Sequence, residues 1–204
     1  MSARRNSVET SRWDVSNNAS QAPDRSDSLF KGRYRVPSTR LPGWDYRSNG
    51  YYFVTICTRD RRPFLGAVVH DVVRLSEAGR IVDEEWNRTP AVRDYVTLDE
   101  YVVMPNHLHG IIVLRRDVVE TSRRDVSTNG PRLLADSLGS VVNQFKSVCT
   151  KRIRQAGLLD FGWQARFYDH IIREEESLDR IRRYIVDNPL KWEENREEPE
   201  NVWF

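Results

Sequence analysis

Two imidazoles spaced one residue apart, His107 and His109, stand in the run Met104-Pro105-Asn106-His107-Leu108-His109-Gly110. In a β-strand the side chains at i and i+2 share a face, so this spacing sets both rings side by side and turns Leu108 to the other face. Two imidazoles so placed can hold one divalent cation, and Ile111, Ile112 and Val113 continue the strand as a rigid base. A bare His-x-His is also what two partly exposed histidines beside a hairpin turn look like. A third ligand and a nucleophile are needed to give the pair meaning.

The segment Arg180-Ile181-Arg182-Arg183-Tyr184-Ile185-Val186-Asp187-Asn188-Pro189 offers both. Ile181 and Ile185, with Val186 as a further candidate, mark a buried helical stripe. Tyr184 and Asn188, four apart, are neighbours on one helical face. An asparagine carbonyl oxygen suits a hard cation such as Mg²⁺ or Mn²⁺, and the Tyr184 phenol could reach a phosphate held by the same ion. Arg180, Arg182 and Arg183 are expected to bind phosphate oxygens and to lower the phenol's pKa. Tyr168, followed by Asp169 and His170, is a competing nucleophile, but Ile172 stands where a helical metal ligand would be needed. Trp163, Gln164 and Arg166 suit stacking on and hydrogen bonding to an unpaired base or a hairpin end; a tryptophan plugging the core edge is the competing reading. His170 reads as a satisfied buried histidine or a support to the site. His70 reads as a solvated residue leading into a helix.

The elements that must position these groups follow from periodicity. Tyr51 to Thr58 is aromatic and β-branched on both faces, which predicts a central strand. Leu75, Ala78, Ile81, Val82 and Trp86 have helical spacing over about 76–88, with Pro90 expected to stop the helix. Tyr95 to Met104 and His107 to Leu114 read as an antiparallel pair split by Pro105-Asn106. Leu134, Leu138, Val141, Val142, Phe145, Val148 and Ile153 mark a helix over 133–155, ended by Gly157. Arg166 to Ile172 is a fourth strand, and Ser177 is expected to cap a third helix. The order strand, helix, strand, strand, helix, strand, helix suits an α+β domain with helices on an antiparallel sheet.

Composition narrows the class. The chain of 204 residues holds one domain with a real core plus tails or insertions. Its leader, 1–40, is rich in Ser, Asn and Arg. The domain is expected over 41–195, with a polar insertion at 115–132 and a tail at 196–204. A net charge of +2 does not by itself announce a nucleic-acid binder, although Arg, the side chain suited to bidentate phosphate recognition, dominates the cations. Cys57 and Cys149 lack metal-type spacing, which argues against a disulfide framework and fits a reducing cytoplasm. No apolar run approaches the roughly 20 residues that span a bilayer.

Taken together, these blocks resemble the REP-associated tyrosine transposases, a branch of the HUH single-strand transposases. The resemblance covers about 41–192. It rests on Leu41-Pro42-Gly43, Tyr52-Phe53-Val54-Thr55, Val103-Met104-Pro105-Asn106-His107-Leu108-His109, Trp163-Gln164-x-Arg166-Phe167 and Tyr184-Ile185-x-x-Asn188-Pro189. It implies a ferredoxin-like or RRM-like core, His107 and His109 as the metal pair and Tyr184 as nucleophile. Insertion-sequence relatives carry Gln where this chain has Asn188, so the amide oxygen is kept. The implied activity is Mg²⁺- or Mn²⁺-dependent nicking and rejoining of single-stranded DNA at hairpin-forming palindromic repeats, through a 5′-phosphotyrosine link, by a monomer or homodimer. Two alternatives stand beside it: a non-catalytic nucleic-acid-binding regulator on the same fold, and a hydrolase in which the cation activates water.

One feature belongs to no structural element. Val8 to Asn18 nearly recurs as Val119 to Asn129, with nine of eleven positions identical. The second copy permits the codons GTA GAG ACG TCG CGT CGC GAC GTC TCT AC(N), a perfect inverted repeat about one central base. Both copies are expected to be either palindromic DNA elements captured in frame or a local duplication of a polar linker, and in both cases 115–132 is expected to be a surface loop.

Overall fold

In the computed structural model, which describes residues 40–116 and 135–192, the run Gly50–Cys57 forms strand β1. Next come a short hairpin of β2 (Gly66–Val69) and β3 (Val72–Leu75) and helix α1 (Glu77–Val92). Strands β4 (Val96–Met104) and β5 (His107–Leu114) are joined at Pro105-Asn106. Helix α2 (Leu138–Gln155), strand β6 (Tyr168–Ile172) and helix α3 (Glu175–Asp187) complete the described path.

The four-stranded sheet runs β4-β5-β1-β6, with every neighbouring pair antiparallel. Setting aside the β2–β3 hairpin, the path β1-α1-β4-β5-α2-β6 with β1 between β5 and β6 is the ferredoxin-like split βαβ arrangement. Both crossings, β1 to β4 and β5 to β6, therefore join parallel strands with one strand between them. Strand β1 is central, as its two apolar faces predict, and all eight residues of β5 are buried.

The period of two sorts side chains between two cores. Leu108, Ile112 and Leu114 pack with Trp86 of α1 and with Val142 and Phe145 of α2. Phe53, Ile111, Val113 and Ile172 face the other way, where Leu178, Ile181 and Ile185 of α3 cover them. Each of these α3 residues is at most 7% exposed, and burying such a side chain stabilises by roughly 1.5–3 kcal/mol. Val186, by contrast, is exposed and lies off the stripe. Among the described residues the third helix is thus the one that packs on the sheet face carrying the odd-numbered residues of β5.

Several boundaries differ from expectation. The proline at 90 sits inside the last turn of α1, which runs on to Val92; a proline there removes a single amide late in the helix, and the Arg93 amide bonds back to the Pro90 carbonyl at 3.3 Å. Ser137, not a residue near 133, caps α2 by accepting from the Ser140 amide, whereas Gly157, with φ +101°, ends that helix as expected. Helix α3 starts at Glu175, ahead of Ser177. The β2–β3 hairpin went unread because its strands are four residues long and its turn residues, His70 and Asp71, take φ of 50° and 61° without the glycine that usually signals such a turn. His70 is therefore a turn residue and does not lead a helix. Cys57 and Cys149 are not joined in a disulfide. No helix is long and apolar enough to cross a membrane among the described residues. The leader apart from Arg40, the insertion apart from Arg115 and Arg116, the tail at 196–204, Leu134 and both copies of the repeat lie outside the described residues.

Candidate active site

Register places the histidines. His107 lies opposite Cys57 and His109 opposite Thr55 on β1, at the end of the sheet where β5 begins. Because they are two apart on a strand, both rings project onto the α3 face, with centroids 4.3 Å apart, and they are 3% and 2% exposed.

Their hydrogen bonds set their chemistry. The Asn106 side-chain oxygen lies 2.7 Å from His107 Nδ1. A carboxamide oxygen can only accept, so Nδ1 carries the proton and Nε2 keeps a lone pair. That Nε2 is buried and, among the described residues, no hydrogen bond of good geometry reaches it, although the Asn188 amide approaches closely enough to favour the ring's charged form. On His109, Nδ1 meets the Thr55 hydroxyl at 2.9 Å and Nε2 meets the Tyr184 hydroxyl at 3.2 Å. Burial, then the positive charge of Arg61, pushes His107 down to about 3. Burial, then His107 itself, holds His109 well below the ordinary histidine value. Both rings are neutral near pH 7, the form that ligates a metal.

Helix α3 delivers the phenol. Ile181 and Ile185 seat the helix, and Tyr184 lies on the same side, its ring edge-on to Phe53 with centroids 6.2 Å apart. Phe53 in turn stacks on His109 at 5.3 Å and forms the aromatic floor of the site. Asn188, 6% exposed one turn beyond Tyr184, influences both the phenol and His107. Burial raises the Tyr184 pKa, and its contact with Asn188 opposes this. Burial and Asn188, rather than the expected arginines, set the direction of its shift. Arg182 is tied to Asp99 at 2.6 and 2.9 Å and to Asp179 at 3.0 Å, Arg183 bonds back to the Asp179 carbonyl at 3.3 Å, and the exposed Arg180 points elsewhere on the helix.

The fold therefore brings together His107, His109, Tyr184 and Asn188. It places the other candidates nearby in different settings. The Gln164 amide bonds to the Cys57 carbonyl at 2.9 Å and Trp163 bridges Thr58, so this segment borders the same end of β1. The Trp163 ring packs against Phe161 and Phe145, on the α2 side of the sheet. Lys146 fixes the loop by donating to the Gln164 carbonyl at 2.6 Å, and Arg166 is exposed beside it. Tyr168 is 38% exposed, its ring edge-on to Phe53 at 6.4 Å, so it shares the aromatic floor without touching the histidines. His170 is half-buried on the same strand.

Four residues at the site had no assigned role in the sequence reading. Asn106 fixes a tautomer, Thr55 orients the second ring, Arg61 brings positive charge, and the Trp192 ring lies 6.0 Å from that of His107. Asn106 adjoins the pair and Thr55 is a polar residue inside an apolar strand, the only signals the sequence offers for them. Among the described residues no third His, Cys, Asp or Glu joins the two histidines, and the Asn188 amide stands beside them as a further oxygen donor. The residues fit a cation nonetheless: two neutral imidazoles, one with its lone pair buried and unmatched, beside an amide oxygen.

No protein-family model matches the chain. An uncharacterized protein of Haemophilus influenzae is 34% identical over 169 residues, spanning 81% of this chain and 94% of its own length. A solved structure of a REP-associated tyrosine transposase bound to a REP hairpin superposes with a TM-score of 0.51 at 22% identity, over 76% of this chain and 74% of that one. The resemblance read from the motifs is thus matched at the level of the fold.

Proposed function

We propose that this chain, which belongs to one family with the Haemophilus influenzae protein and shares its fold with a REP-associated tyrosine transposase, is a metal-dependent transposase that nicks and rejoins single-stranded DNA at hairpin-forming repeats. The observation that carries this reading is the 3.2 Å approach of the Tyr184 hydroxyl to His109 Nε2, beside the unmatched Nε2 of His107. Two sequence-distant segments converge there on the groups a phosphotyrosine reaction needs.

Mg²⁺ or Mn²⁺ held by His107, His109 and Asn188 would supply Lewis acidity toward a scissile phosphodiester. Asn106 and Thr55 hold the two rings in the orientation that ligation requires. The Tyr184 oxygen attacks phosphorus and loses its proton to water; the bond to the 3′-oxygen breaks, and that oxygen gains a proton to leave a free 3′-hydroxyl. The product is a 5′-phosphotyrosine, and attack on it by a 3′-hydroxyl reverses the step and joins strands. The bond energy is conserved in the covalent link. Arg61, whose charge reaches His107, would add positive charge near the phosphate. One observation favours a second reading, a hairpin-binding regulator that does not cut: the histidine pair is almost wholly buried.

Incubation with a labelled single-stranded hairpin and Mn²⁺ separates the two. The transposase reading predicts a denaturant-stable protein–DNA adduct that is lost in Tyr184→Phe and kept in Tyr168→Phe. Hairpin binding with no adduct in any variant supports the regulator. An adduct lost only in Tyr168→Phe moves the nucleophile to β6.

A further inference from the structure

Away from the histidines, a cavity of about 610 Å³ opens beside β6, the outer strand of the sheet, and the start of α3. Its size is that of a small-molecule or nucleotide site. Arg40, Tyr46, Tyr168, Asp169, Arg173 and Arg180 are among its lining residues. Asp169 is the unusual member. Its side chain is 1% exposed, and among the described residues neither carboxylate oxygen has a hydrogen bond of good geometry. Arg40 Nε stands 4.0 Å from Oδ1, and the Tyr46 hydroxyl comes near enough for burial and Asp169 together to push that phenol up to about 12. Neither contact satisfies an acceptor with two oxygens and about four lone-pair sites. A buried acceptor left in this condition is costly, so it marks a place where a donor from outside belongs.

The donors can be specified. A carboxylate presents two acceptors side by side, and its complement is a pair of adjacent N–H groups. Among the four DNA bases only guanine shows such a pair, N1–H and N2–H, on its Watson–Crick edge. Adenine and cytosine offer one amino group beside an acceptor, and thymine one imino group between two carbonyls. That edge is free only where the base is unpaired. The exposed Arg173 and Arg180 carry the positive charge that backbone phosphates require.

We propose that this cavity is a guanine subsite for single-stranded DNA, in which the Asp169 carboxylate accepts the N1 and N2 protons of one unpaired guanine while Arg173 and Arg180 meet its flanking phosphates. The subsite rests on the single-strand DNA reading above, and it gives that reading a base-specific contact remote from the bond that is cut.

The test is binding without cleavage: full-length protein in EDTA, titrated by fluorescence anisotropy against oligothymidylates carrying one central guanosine, inosine or adenosine. Guanosine is expected to bind about tenfold tighter than adenosine, with inosine, which lacks the N2 amino group, in between. Asp169→Asn should erase the ranking while leaving binding to plain oligothymidylate intact. A wild-type protein indifferent to the central base overturns the proposal, as does a ranking that survives in Asp169→Asn. Should that variant fail to fold by circular dichroism, photocrosslinking of wild type to an oligonucleotide with 5-iododeoxyuridine beside the guanosine decides. Crosslinks within 168–180 support the subsite, and crosslinks confined elsewhere overturn it. An adduct at Tyr184 without base preference refutes the subsite and leaves the transposase reading standing; base preference without an adduct does the reverse.

Discussion

At His107 the decisive atom is Nε2, which no hydrogen bond of good geometry reaches among the described residues. Asn106 fixes the proton on Nδ1 and so leaves Nε2 as a ligand in waiting. Asn106→Ala should weaken Mn²⁺ binding about 10- to 100-fold by calorimetry, the range seen when a ligand's supporting hydrogen bond is lost, without unfolding the protein; unchanged affinity would show that the tautomer needs no support. The Tyr184 hydroxyl makes an opposite prediction. His109 Nε2 cannot accept the phenol's proton and ligate a cation at once, so Tyr184→Phe should bind Mn²⁺ at least as tightly as wild type. A loss of affinity would make the phenol a ligand. The pair and the tyrosine were legible in the sequence because i, i+2 on a strand and i, i+4 on a helix are fixed by backbone geometry. Asn106 and Thr55 were not, because their roles depend on rotamers and on cross-strand register.

The order of strands and helices along the chain was readable for the same reason: long periodic segments such as β1, β5 and α2 follow their apolar pattern. What periodicity does not carry is the face on which each helix lands. That α3 crosses to the sheet face opposite α1 and α2 follows from which β5 residues its stripe meets, and this placement is what brings Tyr184 to His109. The short β2–β3 hairpin escaped because four-residue strands give too few alternations to count. Gly110 shows how tightly the elements constrain each other. A side chain there would run into the Trp86 indole of α1, with the Tyr101 Cβ only 3.1 Å away. Gly110→Ala is therefore expected to destabilise by about 1–3 kcal/mol in urea unfolding, the cost of overpacking. A variant as stable as wild type would mean that α1 packs elsewhere.

For the whole molecule the buried histidines make stability depend on pH. Folding lowers the His107 pKa from 6.5 to about 3, and lowers those of His109 and His170 too, so the unfolded chain binds protons that the native one excludes. The sign is definite: the stability is present above about pH 6.5 and lost as pH falls from there toward about 3, by up to roughly 1.4 kcal/mol per pH unit per histidine. Urea midpoints should fall between pH 7.5 and 5.5, and His107→Asn with His109→Asn should flatten the slope; a flat wild-type profile would show that the rings are accessible to protons in the folded state. All of this serves one claim, that α3 and β5 meet to form a centre for phosphotyrosine chemistry. Tandem mass spectrometry of the trypsin-digested adduct, formed with a hairpin oligonucleotide and Mn²⁺, tests it most directly. The account predicts a nucleotide remnant on Tyr184; a remnant on Tyr168, or no adduct from protein shown to bind both Mn²⁺ and hairpin, contradicts it.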